Sequence, residues 1–176
     1  MSQDYLDEEA QIAREQDENE LFDGHALRRQ VRDLPELQAV VKLGPTATIR
    51  DAIHGMTDSS VGIVLVVENN ELLGVFSERD VLRKVSGSGL DIDATEVSEL
   101  MTRNPETLSF DSELAYVLHK MAHGGYRHIP LMENDAPVAV VSMRDILGFI
   151  VSLYPDYVLN LADSPDATIS REREGG

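Results

Sequence analysis

A serine and an aspartate three residues apart, Ser77 and Asp80, stand where an apolar stretch of the sequence ends. The same pair recurs as Ser142 and Asp145. Ser-x-x-Asp is a capping-box pattern, in which the hydroxyl accepts a backbone amide and the acid favours the positive end of a helix. A carboxylate at a helix N-terminus can also accept the hydroxyl groups of a ribose, while the helix end attracts phosphate. Each copy is therefore open to two interpretations, a helix cap alone or a cap that also binds ligand.

Basic side chains near these acids extend the possible chemistry. Arg79 and Arg144 directly precede the two aspartates, where a guanidinium could bind phosphate oxygens or point into solvent. His119 and His123 are four residues apart on a predicted helix, a spacing at which two imidazoles can share a metal ion, and His128 follows closely. Because the chain has no cysteine and no clear third carboxylate ligand beside them, we expect no metal site there.

The sequence does not contain a recognisable catalytic arrangement. A Ser-His-Asp order and paired carboxylates are both missing, and the Ser-x-x-Asp motif has no adjacent base. A hydrolase, or a metal-dependent enzyme that uses the histidines, is therefore the least favoured function. We expect a protein that is not an enzyme.

The composition narrows the partners and the compartment. The chain has 176 residues, with 32 acidic against 15 basic residues and a formal net charge of −17. Such a charge repels polyanions, so we expect no binding to nucleic acid or to an anionic membrane. No apolar run approaches the roughly 20 residues that span a bilayer, and the acidic N-terminus does not resemble a secretory signal. The lack of cysteine suits a reducing compartment, and we expect a cytoplasmic protein.

An internal repeat supplies the elements that would position the two motifs. With a shift of 65 residues, residues 43–82 lie over residues 108–147 without a gap, and ten of the 40 pairs are identical. Each copy predicts an extended start, a helix, two strands joined by an Asn-containing hairpin turn, and a second helix that begins at the Ser-x-x-Asp motif. One β-α-β-β-α unit cannot cover its own apolar sheet face, so we expect two copies packed sheet to sheet, an α/β (α+β) fold.

The chain divides into segments of different composition. We predict an acidic flexible segment over residues 1–20, a helical segment over 21–38, a first repeat over 39–85, a linker over 86–96, a second repeat over 97–153 and a polar tail over 154–176. The helical segment has apolar residues at helical spacing and would be limited by Pro35. The glycines and serines of the linker indicate flexibility.

Three stretches of the sequence resemble the CBS domain, the module named after cystathionine β-synthase. They are Gly74–Asp80 (G-V-F-S-E-R-D), Val97–Thr102 leading to Asn104-Pro105, and Gly125–Pro130 (G-Y-R-H-I-P). The first is similar to the family's ribose-phosphate signature, the second to the start of a repeat, and the third to the beginning of a strand. The resemblance covers roughly residues 34–152, and the motifs agree in register with the 65-residue repeat.

The resemblance implies a regulatory pair of domains with pseudo-twofold symmetry and two clefts, usually assembled as a dimer in a flat disc. The clefts of the family commonly hold adenosine ligands such as AMP, ADP, ATP or S-adenosylmethionine, and no cofactor is required. Carried over by motif position, the candidate ligand contacts are Asp80 and Asp145 for ribose hydroxyls, Ser77 and Ser142 for the caps near phosphate, Arg79, Arg144, Arg127 and His128 for phosphate, and Ile63 and Ile129 for the base.

The two copies are not equivalent, because Gly74 is matched by Ala139 and Gly62 by Arg127. Since glycine lets a backbone approach a ligand closely, we expect the cleft around Asp80 to be the one that binds ligand. The predicted function is a stand-alone homodimeric sensor of an adenosine ligand that acts on an unidentified partner protein through its N-terminal region. The alternative is a structural or dimerising module whose motifs only cap helices.

Overall fold

The computed structural model of the protein describes residue 24 and residues 26–153. The segments predicted over residues 1–20 and 154–176 lie outside the described residues. Within the described part, helices and strands follow one another in two similar halves, as the internal repeat predicts.

The first half begins with two short 3₁₀ helices, Ala26–Arg28 and Val31–Asp33. A capping box starts its first α-helix, since Thr48 Oγ1 accepts the amide of Asp51 and the Asp51 carboxylate accepts the amide of Thr48. The elements that follow the 3₁₀ helices are β1 (Lys42–Leu43), α1 (Ile49–Asp58), β2 (Ile63–Glu68), β3 (Glu71–Ser77) and α2 (Glu78–Asp80), which continues as a π-helical turn over Val81–Val85.

The second half repeats this order. Its elements are α3 (Val97–Leu100), β4 (Thr102–Arg103), α4 (Leu114–Gly124), β5 (His128–Glu133), β6 (Ala136–Ser142) and α5 (Met143–Leu153). Both hairpins reverse through two residues of positive φ, Asn69-Asn70 and Asn134-Asp135. Asn and Asp tolerate this left-handed geometry, so the predicted hairpin turns are confirmed and have a local cause.

The strands form two sheets with the same plan. The first has the order β1-β2-β3-β4, with β1 parallel to β2 and the other neighbours antiparallel. The second has β5 and β6 antiparallel at its centre, flanked by single bridges from Leu108 to Leu131 and from Gln38 to Val140. One edge of each sheet thus comes from the segment that begins the other repeat. This reciprocal exchange is the pseudo-twofold relation implied by the resemblance.

The apolar core follows the same exchange. Val31 and Leu34 pack with the helices of the second repeat, whereas Val97 and Met101 pack with those of the first. A third cluster joins the two sheets face to face and confirms the predicted sheet-to-sheet packing; it consists of Ile63, Leu65, Val75 and Val140.

The helix predicted over residues 21–38 is wrong for its described part, where the two 3₁₀ helices stand instead. The amide of Val31 donates to the Ser112 carbonyl at 3.0 Å, and the Arg29 carbonyl accepts the amide of Leu114 at 2.8 Å. These backbone groups bond to the start of α4 rather than within a helix of their own. Tertiary packing therefore overrides the apolar spacing of the segment.

Candidate functional site

The two Ser-x-x-Asp motifs lie at the turns from β3 into α2 and from β6 into α5. In the first, Ser77 Oγ accepts the Asp80 amide at 3.4 Å, and Asp80 Oδ2 accepts the amide and the hydroxyl of Ser77 at 2.9 and 2.7 Å. In the second, Asp145 donates its amide to Ser142 Oγ at 3.2 Å, and Ser142 donates its amide to Asp145 Oδ2 at 2.7 Å. Both motifs are reciprocal helix caps, as predicted, and each acid keeps its Oδ1 outside the cap.

Oδ1 of Asp80 is bound by a lysine one turn along the helical segment. Lys84 Nζ lies 2.8 Å from Asp80 Oδ1 and 2.6 Å from the carbonyl oxygen of Leu100, the last residue of α3. Burial raises the pKa of the Asp80 carboxyl, but hydrogen bonds from Lys84 and Ser77 outweigh it and hold that pKa below its usual value. Asp80 is therefore a negatively charged acceptor at neutral pH.

A cavity of about 400 Å³, the first cleft, lies against Asp80. Both repeats contribute to its wall: Ser77 and Asp80 come from the turn into α2, and Arg127 and His128 come from the beginning of β5. Thr102 of β4 closes one side. This volume lies within the roughly 300–1,000 Å³ of small-molecule sites, so the cleft is large enough for a ligand of nucleotide size.

Four residues line both the first cleft and a second cavity, namely Gly62, Glu78, Arg127 and His128. A Cβ on Gly62 would lie 2.8 Å from His128 Cε1 and 2.9 Å from its Nε2, so the glycine is needed for the imidazole to cross the pseudo-twofold axis. Burial and the charge of Arg127 lower the pKa of His128, and Glu78 and Asp145 oppose this only in part. The imidazole between the two clefts is therefore neutral at pH 7.

The second cavity, the second cleft, has a volume of about 550 Å³ and extends along α5. Ser142 and Arg144 line it, but Asp145 does not. Gln38 Nε2 donates to Ser142 Oγ at 3.0 Å, and Ser142 keeps only 2% of its surface exposed. The two clefts thus differ, as predicted, but they differ in side chains that the sequence comparison did not consider.

Gly74 has a structural explanation that does not involve a ligand. A Cβ at this position would lie 2.6 Å from Met101 Sδ and 2.8 Å from the carbonyl oxygen of Thr102. The expectation that this glycine admits a ligand is therefore wrong, because the backbone beside it is the crossing strand β4.

The two isoleucines predicted to flank a base have different surroundings. Ile63, at the start of β2, lines the first cleft. Ile129 has no exposed surface and packs in the core of the second repeat. Because successive residues of a strand face opposite sides, β5 places His128 at the clefts and Ile129 in the core. Ile129 is thus corrected from a candidate ligand contact to a core residue.

The two motif arginines lie in different clefts. Arg79 lines the first cleft, and its guanidinium donates to the carbonyl oxygen of Gly125 in the other repeat. Arg144 lines the second cleft and is exposed. Of the ten predicted contacts, the first cleft brings together six, which are Ile63, Ser77, Arg79, Asp80, Arg127 and His128.

The histidine pair on α4 is stacked. The rings of His119 and His123 have centroids 4.0 Å apart, and His123 Nδ1 lies 3.0 Å from the carbonyl oxygen of His119. Among residues 24 and 26–153, no group of three or more potential metal ligands comes together. Nor does any helix in these described ranges have the length and apolarity needed to cross a membrane.

The sequence comparison missed three residues of the clefts, Lys84, Thr102 and Gln38. Lys84 follows the first motif aspartate by four residues, a helical ion-pair spacing that could have identified it. Residues 30–34 and 96–100 share a valine and a leucine at a spacing of 66 residues. Because this differs from the spacing of 65 in the main repeat, an ungapped alignment did not detect the segments that carry Gln38 and Thr102.

The family model of the CBS domain matches residues 31–87 and again residues 97–152. Each range contains one Ser-x-x-Asp motif, one hairpin and one of the crossing segments. The chain belongs to the CBS domain family. Its two CBS domains begin, by this match, at Val31 and Val97, the equivalent buried valines of the two crossing segments.

Known CBS domain proteins are similar to this pair. The CBS domain-containing protein CBSCBSPB3 of Arabidopsis thaliana is 35% identical over 106 residues, which are 60% of this chain and 19% of that protein. The chain spans about a fifth of the length of the first curated relatives it matches.

Solved structures share the fold. The CBS-domain containing protein ATU1752 from Agrobacterium tumefaciens has a TM-score of 0.64 at 29% identity, covering 68% of this chain and 98% of its own. The CBS domain protein PAE2072 from Pyrobaculum aerophilum, solved in complex with AMP, has a TM-score of 0.61 at 26% identity, covering 76% of this chain and 98% of its own.

Proposed function

We propose that this CBS domain pair binds an adenosine-containing ligand in the first cleft and signals its occupancy to a partner protein. The observation that carries the proposal is that both repeats contribute to one cavity, with Ser77 and Asp80 from the first and Arg127 and His128 from the second. A ligand that contacts both walls favours the arrangement of repeats in which it fits, and this differential binding is what a sensor requires. The AMP complex of the Pyrobaculum protein supports an adenosine ligand.

Asp80 is the proposed ribose contact. Its Oδ2 is occupied by the helix cap, whereas its Oδ1, bound by Lys84, retains a lone pair for a ligand hydroxyl. The low pKa keeps the carboxylate ionised, and an ionised acceptor makes the stronger hydrogen bond. Arg79 and Arg127 supply donors for phosphate, and Ile63 supplies apolar surface for the base.

The candidate ligands AMP, ADP, ATP and S-adenosylmethionine share the ribose and differ in charge. Calorimetry with each of them on the wild-type chain and on Asp80→Asn separates the ribose contact from the rest of the site. The substitution keeps the size of the side chain but removes the charge, so the affinity should fall by about tenfold or more. A structural or dimerising module predicts no heat and no thermal shift at millimolar ligand.

We propose a regulatory role without catalysis. The hydroxyl of Ser77 donates to the carboxylate of Asp80 inside the cap, and that carboxylate is held by Lys84. A serine nucleophile needs a free base that is oriented by a third group, which this arrangement does not offer. The proposed partner is a protein that contacts the N-terminal region, and the net charge of −17 argues against nucleic acid and supports a cytoplasmic location.

We also propose that two copies of the chain associate through their last helices. Leu82 and Leu147 occupy the same position of the two repeats and expose 72% and 52% of their surface, and Val151 on α5 exposes 40%. Covering such side chains with a second copy removes apolar area from water. Sedimentation should show that Leu82→Glu with Leu147→Glu dissociates the dimer, whereas Val138→Glu on β6 should leave the mass unchanged.

A further inference from the structure

Gln38 and Thr102 hold equivalent places on the two sides of the pseudo-twofold axis. Thr102 pairs with Val75 on β3, and Gln38 bridges to Val140 on β6. Val75 and Val140 are the same position of the repeat, 65 residues apart. The chain therefore places a short side chain at the edge of the first cleft and a long amide at the edge of the second.

This difference decides how accessible the two cap serines are. In the first cleft, Ser77 is half-buried and lines the cavity together with Asp80. In the second, the Gln38 amide covers Ser142 at 3.0 Å, leaving it 2% exposed, and Asp145 does not line the cavity. A ligand that approached the second motif as proposed for the first would meet the Gln38 side chain.

The Gln38 amide pairs only one of its ends. Within the described residues, its Oε1 is the single buried side-chain nitrogen or oxygen without a hydrogen-bond partner. A buried acceptor without a partner loses its hydration and gains nothing in return, so native proteins rarely keep one. The stability of the fold therefore does not account for this side chain, whereas closing the second motif does.

We propose that Gln38 is a latch that keeps the second motif closed, so that the chain binds one nucleotide, in the first cleft. The inference rests on the proposed function of that cleft and adds the stoichiometry and the residue that sets it. Removing the long amide would open a second site of the same ligand class at Ser142 and Asp145. Phe149 stands where the first repeat has Lys84, so no lysine from this position pairs with Asp145 Oδ1.

Titration calorimetry with AMP, on the full chain, tests the latch with two mirror-image substitutions. Gln38→Thr gives the second cleft the side chain of the first, and Thr102→Gln gives the first cleft that of the second. We expect about one AMP per chain for wild type and two for Gln38→Thr, and a loss of about tenfold or more in affinity for Thr102→Gln. Adding Asp145→Asn to Gln38→Thr should return the stoichiometry to one, which locates the new site.

Gln38→Ala serves as a second opening variant, and thermal unfolding identifies any variant that does not fold. Two AMP bound by wild type, or one bound by both folded Gln38 variants, would overturn the latch and leave the first cleft as proposed. No binding by wild type together with one AMP on Gln38→Thr would instead remove the proposed function of the first cleft and support the latch. No binding by any variant would contradict both.

Discussion

The ammonium of Lys84 lies 2.8 Å from Oδ1 of Asp80 and donates at the same time to the carbonyl oxygen of Leu100. Lys84 therefore connects the acid of the first cleft to the end of α3, next to the strand that closes that cleft. The ion pair is only partly exposed, at 35% for the lysine side chain and 15% for the aspartate. It is thus less screened by solvent than a pair on the open surface.

We expect Lys84→Met to lower the free energy of unfolding by about 1 kcal/mol and to raise the pKa of Asp80. The pKa of Asp80 is now below its unfolded value, so its contribution is complete above about pH 3.9 and is lost as the pH falls through the folded value. Denaturant unfolding and an NMR titration of the carboxyl group measure the two effects. Lys42→Met, at an exposed lysine of β1, is the control, and equal effects of both variants would contradict a specific pair.

His128 predicts a loss of stability in mildly acidic solution. Its pKa is lowered in the folded state, so the unfolded chain binds more protons once the pH is below about 6.5. The free energy of unfolding should therefore fall from pH 7 to pH 5, before the carboxylates titrate. His128→Gln should flatten this slope, whereas His54→Gln, at an exposed position of α1, should not. A slope that is the same in wild type and His128→Gln would show that another group is responsible.

Gly74→Ala should destabilise the chain by about 1–3 kcal/mol, because the new methyl group would press on Met101 and on the backbone of Thr102. Gly44→Ala is a matched control, since no atom lies within 4 Å of its added Cβ. Thermal unfolding of the two variants should separate them clearly. If Gly74→Ala is as stable as Gly44→Ala, the close contact with β4 does not constrain this position.

Much of the fold was predictable because its determinants are local. The Ser-x-x-Asp caps, the Asn-containing hairpins and the apolar spacing of the helices and strands all act within a few residues, and the repeat shows each of them twice. The pseudo-twofold arrangement followed from the family resemblance and not from the residues themselves.

The predictions that failed depend on contacts between distant residues. Residues 26–34 have helical spacing, but their backbone bonds to the start of α4. Ile129 is adjacent to His128 in sequence, yet the strand turns it into the core. The neighbours of Gly74 and Gln38 lie in the other repeat, where no local pattern could place them.

Titration calorimetry of AMP against the wild-type chain and Asp80→Asn tests the central claim most directly. The account predicts saturable binding by wild type that is weakened by about tenfold or more in a folded Asp80→Asn variant, with Asp145→Asn close to wild type. Asp145→Asn is the matched control because it makes the same chemical change in the other copy of the motif. Absence of binding by wild type, or equal binding by wild type and Asp80→Asn, would contradict the ribose role of Asp80.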